Sequence, residues 1–136
     1  MDGGTDLHTA LVCGLPELLE IAAAPFVKID GNIFIDIFGD GSLQARIASH
    51  ASLRDAQKWV NTVVLRDTLE KIIGIEWELD DPYIRRCIDL LISIWQRQVR
   101  FQFPDDRLTF SVWSEEDTGD IGVIVVQHHD ETTVMA

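Results

Sequence analysis

A chain of 136 residues with 46% hydrophobic and 25% charged content is the right size for one globular domain. At this length folding buries about 68% of the unfolded chain's surface, so neither disulfide nor metal is required to hold it. Its 23 acidic against 11 basic side chains leave a formal charge of −12. That balance excludes nucleic acids and anionic membranes as partners, because both are bound by clustered Lys and Arg that displace counterions. A basic protein is the natural counterpart. The longest uncharged runs fall short of the roughly 20 apolar residues that cross a bilayer. Asp2 and Asp6 stand where an export leader would carry Lys or Arg, so the sequence predicts a soluble, cytoplasmic protein. Cys13 and Cys87 show no metal-ligand spacing and read as buried thiols, with no cofactor implied.

A helical pattern begins near Thr5 with Leu7, Leu11, Leu15, Leu18 and Ala22. Pro16 breaks it near Gly14 and starts a second short helix, which Pro25 closes. The stretch "KIDGNIFIDIFGDGS" that follows is the segment most like a chemical motif. A calcium loop counted from Asp36 puts Phe38 at the third place and Ile47 at the last, and counted from Asp30 it puts Phe34 at the fifth and Ile35 at the sixth. Both registers fail. No Lys follows Gly39 or Gly41, so a phosphate loop fails too. A hairpin fits, with Asp30, Gly31 and Asn32 as a three-residue connection and Val27, Ile29, Ile33, Ile35 and Ile37 on one face. Lys28 then reaches Asp36 on the opposite face, and a salt bridge is expected. Gly39 to Gly41 turn the chain into a third strand, Ser42 to Ser49, completing a three-stranded meander.

Ser52 and Asp55 resemble a capping box opening a long helix that stops at Gly74. Its apolar stripe changes side, from Leu53, Ala56, Val60 and Val64 to Leu65, Leu69, Ile72 and Ile73. The second half therefore kinks near Arg66 or faces a second subunit in a homodimer. Ile75 to Leu79 read as a short edge strand. Asp80, Asp81 and Pro82 start a second long helix with Ile84, Cys87, Ile88, Leu91, Trp95 and Val99 as its core stripe. "VRFQF", "RLTFSVW" and "IGVIVVQH" read as a second meander. Helix then three strands thus occurs twice, over residues 5–50 and 82–129, within one domain spanning 1–136.

No reactive centre assembles from these residues. The carboxylates Glu76, Glu78 and Asp80 on the edge strand and Glu115, Glu116, Asp117 and Asp120 in one loop read as solvated acidic surface, since glycoside chemistry needs an opposed, partly buried pair. His128 and His129 alternate sides of a strand and cannot easily share one metal ion. His50 and His8 have neighbouring hydroxyl or thiol residues but no positioned third member of a catalytic triad. Arg86, Arg97 and Arg100 form a possible anion site on the helix from Pro82, and neutralisation of Arg85 and Arg86 by Asp89 is the simpler expectation.

The reading is α+β: a twisted antiparallel sheet from two three-stranded meanders, packed against two long helices and a broken N-terminal helix. In size, acidity and the order helix, three strands, helix, the chain resembles the small secretion chaperones of type III systems, though the helix before its second meander departs from that pattern. In acidity it is similar to bacterial immunity proteins that block basic toxins. Those resemblances imply a non-catalytic module that binds, and neutralises or chaperones, a basic protein. The expected contact surface is Glu76, Trp77, Glu78, Asp80 and Asp81 with Glu115, Glu116, Asp117 and Asp120. The alternative is a small enzyme or ligand-binding protein with a polar pocket near Lys28 and Asp36 or along Arg85 to Arg100.

Overall fold

The computed structural model describes residues 14–73 and 81–128. Among them are five helices and two antiparallel sheets, one of two strands and one of three. The α+β expectation holds at that level. The helical stretch before Gly14, the stop at Gly74 and the expected strand Ile75 to Leu79 lie outside the described residues.

Helix α1 (Leu15–Ala22) holds Pro16 in its first turn, where the missing N–H is harmless, and ends ahead of Pro25. Strands β1 (Phe26–Ile29) and β2 (Asn32–Ile35) pair with Ile29 opposite Asn32, so the connection is the two residues Asp30 and Gly31 rather than three. Asp30 and Gly31 both take positive φ, 48° and 83°, the turn whose twist suits a tight hairpin. One residue fewer in the loop exchanges the faces of one strand relative to the other. Phe26 and Lys28 therefore share a face with Ile33 and Ile35, while Phe34 lies on the other with Val27 and Ile29. The expected single face of Val27, Ile29, Ile33 and Ile35 does not form.

Three further assignments are corrected. Residues expected as a third strand form helix α2 (Leu43–Ala48), because Leu43 and Ile47, four apart, satisfy helical as well as alternating periodicity and both are buried. Leu, Gln, Ala and Arg also favour helix. This removes the first meander and the element order on which the chaperone resemblance rested. The expected continuous helix is instead α3 (Leu53–Val60), strand β3 (Thr62–Val64) and helix α4 (Arg66–Ile73). Ser52 does cap α3, its Oγ accepting from Asp55 N at 3.1 Å. Three successive β-branched residues favour the strand that interrupts it. Leu65 and Leu69 are each 1% exposed, so they belong to the chain's own core and are unavailable to a second subunit.

The helix from Pro82 continues into "VRFQF" as α5 (Pro82–Gln102), capped at its start by Asp81 and ended at Phe103, whose N–H still bonds Val99 O, just before Pro104. The second meander is therefore a hairpin, β4 (Arg107–Glu115) and β5 (Asp120–His128), completed by β3 in the order β3-β5-β4.

Strand β2 is buried on both faces, with Ile33, Phe34 and Ile35 all at 0% exposure. Ile33 and Ile35 join Phe26, Leu91, Trp95 and Val123 in the main core. Phe34 fills a smaller core with Leu43, Ile47, Ala56 and Val60. The edge of β2 facing β5 is closed by side-chain amides. Asn61 Nδ2 donates to Ile33 O at 2.9 Å while its Oδ1 accepts from Ile35 N at 2.9 Å. Gln127 Oε1 accepts from Ile33 N at 2.9 Å and from Gln57 Nε2, which also donates to Ile33 O. Three buried amides thus replace a missing strand, which is how a buried sheet edge avoids orphaned polar groups.

Candidate functional site

Helix α1, the segment after β2, the end of α3, strand β3 and the start of α4 enclose a cleft of about 510 Å³. Two aromatic side chains on its wall are largely exposed, Phe38 at 66% and Trp59 at 58%, and Val64 is exposed beside them. Neither aromatic stands out in the sequence, where Phe38 lies beside an Asp-Gly turn and Trp59 inside the helical pattern that follows Ser52.

The charge on the wall is mostly negative. Glu17, Glu20 and Asp67 face Arg46, the single cation among the described lining residues. Glu17 is held by Lys71 and Thr68, whose hydrogen bonds keep its carboxyl below the usual glutamate range. That is the direction opposite to what a general acid needs. The Arg46 guanidinium stacks over Phe38, 4.7 Å from the ring centroid, and its Nε donates to Ser42 Oγ at 3.2 Å. Its Nη2 is buried with no hydrogen-bond partner, 3.7 Å from Asp36 Oδ1.

Strand β3 forms one wall and is an edge strand of its sheet. Asn61 O and Leu65 N bond across to Val125 N and Ile121 O, at 3.1 and 2.8 Å. By the alternation of an antiparallel ladder, Thr62 and Val64 turn their peptide groups away from β5, toward an edge that no strand among the described residues pairs.

The expected salt bridge between Lys28 and Asp36 is absent. Lys28 Nζ instead meets Asp106 Oδ2 at 2.8 Å, since the two-residue turn puts it on the other face, and Asp36 accepts from Gly39 N and faces Arg46. Lys28 and Asp36 therefore form no common pocket. The acidic loop is the β4–β5 connection, with Glu115, Glu116 and Asp117 exposed and Asp120 half-buried. It stands beside the cleft: Arg66, next in sequence to Asp67, donates from Nη1 to Gly119 O. Asp81 caps α5, accepting from Tyr83 N at 2.8 Å. Glu76, Trp77, Glu78 and Asp80 lie outside the described residues, as do Cys13 and His129.

Arg86, Arg97 and Arg100 are all exposed on α5. Arg100 borders a hollow of about 220 Å³, shared with Gln96, Asp106 and Arg107. The expected pairs of Arg85 and Arg86 with Asp89 are not formed among the described residues. His50 Nδ1 lies 3.5 Å from Asp55 Oδ2. Among the described residues no group of His, Cys, Asp and Glu could hold a metal ion, and no helix is long and apolar enough to cross a membrane.

No family model, curated protein or solved structure matches the chain.

Proposed function

We propose that the protein is a non-catalytic binding module that takes a basic segment of a protein partner into the cleft between α1, β3 and α4, in the manner of an inhibitor or a chaperone. The observation carrying this reading is the pairing of exposed Phe38 and Trp59 with Glu20 and Asp67, beside β3, an edge strand of its sheet among the described residues. Aromatic anchors supply contact area at small entropic loss. Carboxylates around them select Lys and Arg and speed encounter. An extended segment would add its backbone to Thr62 and Val64, and its alternate side chains would reach the aromatics. The acidic loop Glu115 to Asp120 extends the negative field at one end.

Selection of randomised peptides on the immobilised protein tests this. Retained peptides are expected to be rich in Lys and Arg alternating with apolar residues, and to bind more weakly as salt rises. Trp59→Ser is expected to weaken a selected peptide by roughly 30-fold, the loss typical of an aromatic anchor. Retained peptides without excess basic residues, or undiminished binding to Trp59→Ser and to Glu20→Gln with Asp67→Asn, would refute the proposal.

A further inference from the structure

Helix α5 exposes a second apolar stripe, separate from the one it buries. Tyr83, Leu90, Ile94 and Phe101 are 78%, 50%, 47% and 88% exposed. At 3.6 residues per turn they fall within about 20° of one line, roughly 27 Å long. Positions 87 and 97 complete the spacing, so that 83, 87, 90, 94, 97 and 101 alternate steps of four and three, as the seam positions of a heptad do, with Cys87 at the margin where the stripe meets the main core. The core residues Ile84, Ile88, Leu91, Trp95 and Val99 occupy a different face. The stripe therefore does not belong to the fold's own core.

The charge beside this seam is reversed relative to the rest of the molecule. Arg86 and Arg100 flank it on one side and Arg97 lies within it, all exposed. Among the described residues none of the three has a carboxylate partner. The other flank is neutral, Gln98 donating to Ala24 O and Gln102 Oε1. Asp89, the one acid on α5, lies on the far side of the arginines from the seam.

We propose that this face of α5 docks an amphipathic helix of a protein partner, whose apolar seam lies along Tyr83, Leu90, Ile94 and Phe101 and whose Glu or Asp flank meets Arg86, Arg97 and Arg100. A second copy of the chain is the poorer occupant. Antiparallel copies would bring Arg86 toward Arg100, parallel copies would stack Arg97 on itself, and either would join two chains of charge −12. The surface differs in place and sign from the acidic cleft, so it stands whether or not the cleft binds a basic segment.

The probe is a synthetic helix of about three heptads with Leu and Ile at the seam and Glu on its flanks, beside the same helix with Lys flanks. Binding to the full-length protein is followed by fluorescence anisotropy, with sedimentation run in parallel. The Glu-flanked helix is expected to bind at least about tenfold more tightly than the Lys-flanked one, and this margin should shrink with salt. Leu90→Ser with Ile94→Ser should weaken binding at least about tenfold while far-ultraviolet circular dichroism stays unchanged, since both side chains are exposed. Arg86→Glu with Arg97→Glu should reverse the preference, and Trp59→Ser should leave it untouched. Equal binding of both helices, indifference to the 90/94 substitutions, or loss with Trp59→Ser would overturn the proposal. A dimer in sedimentation that Leu90→Ser with Ile94→Ser dissolves would overturn it in favour of a second copy.

Discussion

Replacing Asn61 by Ala removes one of the three side chains that join β2 to β5. Three hydrogen bonds are lost together: Nδ2 to Ile33 O at 2.9 Å, Nδ2 to Val125 O at 3.2 Å, and Ile35 N to Oδ1 at 2.9 Å. Ile33 O keeps its bond from Gln57. Ile35 N–H is left facing vacated space inside the core, and one orphaned buried donor costs about 1–3 kcal/mol. Adding the other lost bonds, a destabilisation of about 3 kcal/mol is expected, or about 12 °C in melting temperature for a domain of this size. Asn32→Ala is the control, because Asn32 Nδ2 donates to Asp30 O at 3.2 Å in an exposed turn and its loss should cost about 0.5 kcal/mol. Urea unfolding followed by tryptophan fluorescence, with Trp95 fully buried, measures both. If Asn61→Ala shifts stability by less than about 1 kcal/mol at unchanged m-value, the amides do not act as the surrogate strand described above.

Gly122 packs under β3 so tightly that an added Cβ would lie 2.0 Å from Val63 O and 3.0 Å from Trp113 Nε1. Gly122→Ala should therefore separate β3 from β5, cost about 2 kcal/mol or more, and accelerate amide exchange at Val63 and Val123. Glu17 has its folded-state pKa lowered by Lys71 and Thr68, so its contribution is present above its ordinary value of 4.5 and is lost as pH falls through the lowered one. Glu17→Gln should flatten that acid limb of the stability curve by about 0.5 kcal/mol, small because the side chains of Lys71 and Glu17 are 44% and 34% exposed. Burial pushes the Cys87 thiol up, so in a Cys13→Ser background it should alkylate at pH 8 more slowly than a free thiol and recover the free rate in urea.

Much was legible along the chain where the signal is local. Pro16 in the first turn of α1, the Ser52 and Asp81 caps and the core stripe of α5 each depend on neighbours within one or two turns, and each is found in the structure. The Asp-Gly turn was recognised, but its length was not, and one residue of error moved Lys28 away from Asp36. Leu43 and Ile47 fit either period, so neither periodicity nor composition could decide between helix and strand there. The change of stripe after Val60 marked the place where β3 interrupts the helix, without naming its cause. In the site, the acidic character was visible and the two exposed aromatics, Phe38 and Trp59, were not.

By itself, then, the sequence determined a mixed helix and strand chain with a strongly negative surface, an Asp-Gly hairpin and one long helix, because charge and short-range periodicity need no partner. Only the tertiary structure decided which strand lies beside β5, which face of β2 meets which core, and that Gln57, Asn61 and Gln127 close its edge. Those choices are made by hydrogen bonds and packing between residues far apart in the chain, whose partners no local pattern records.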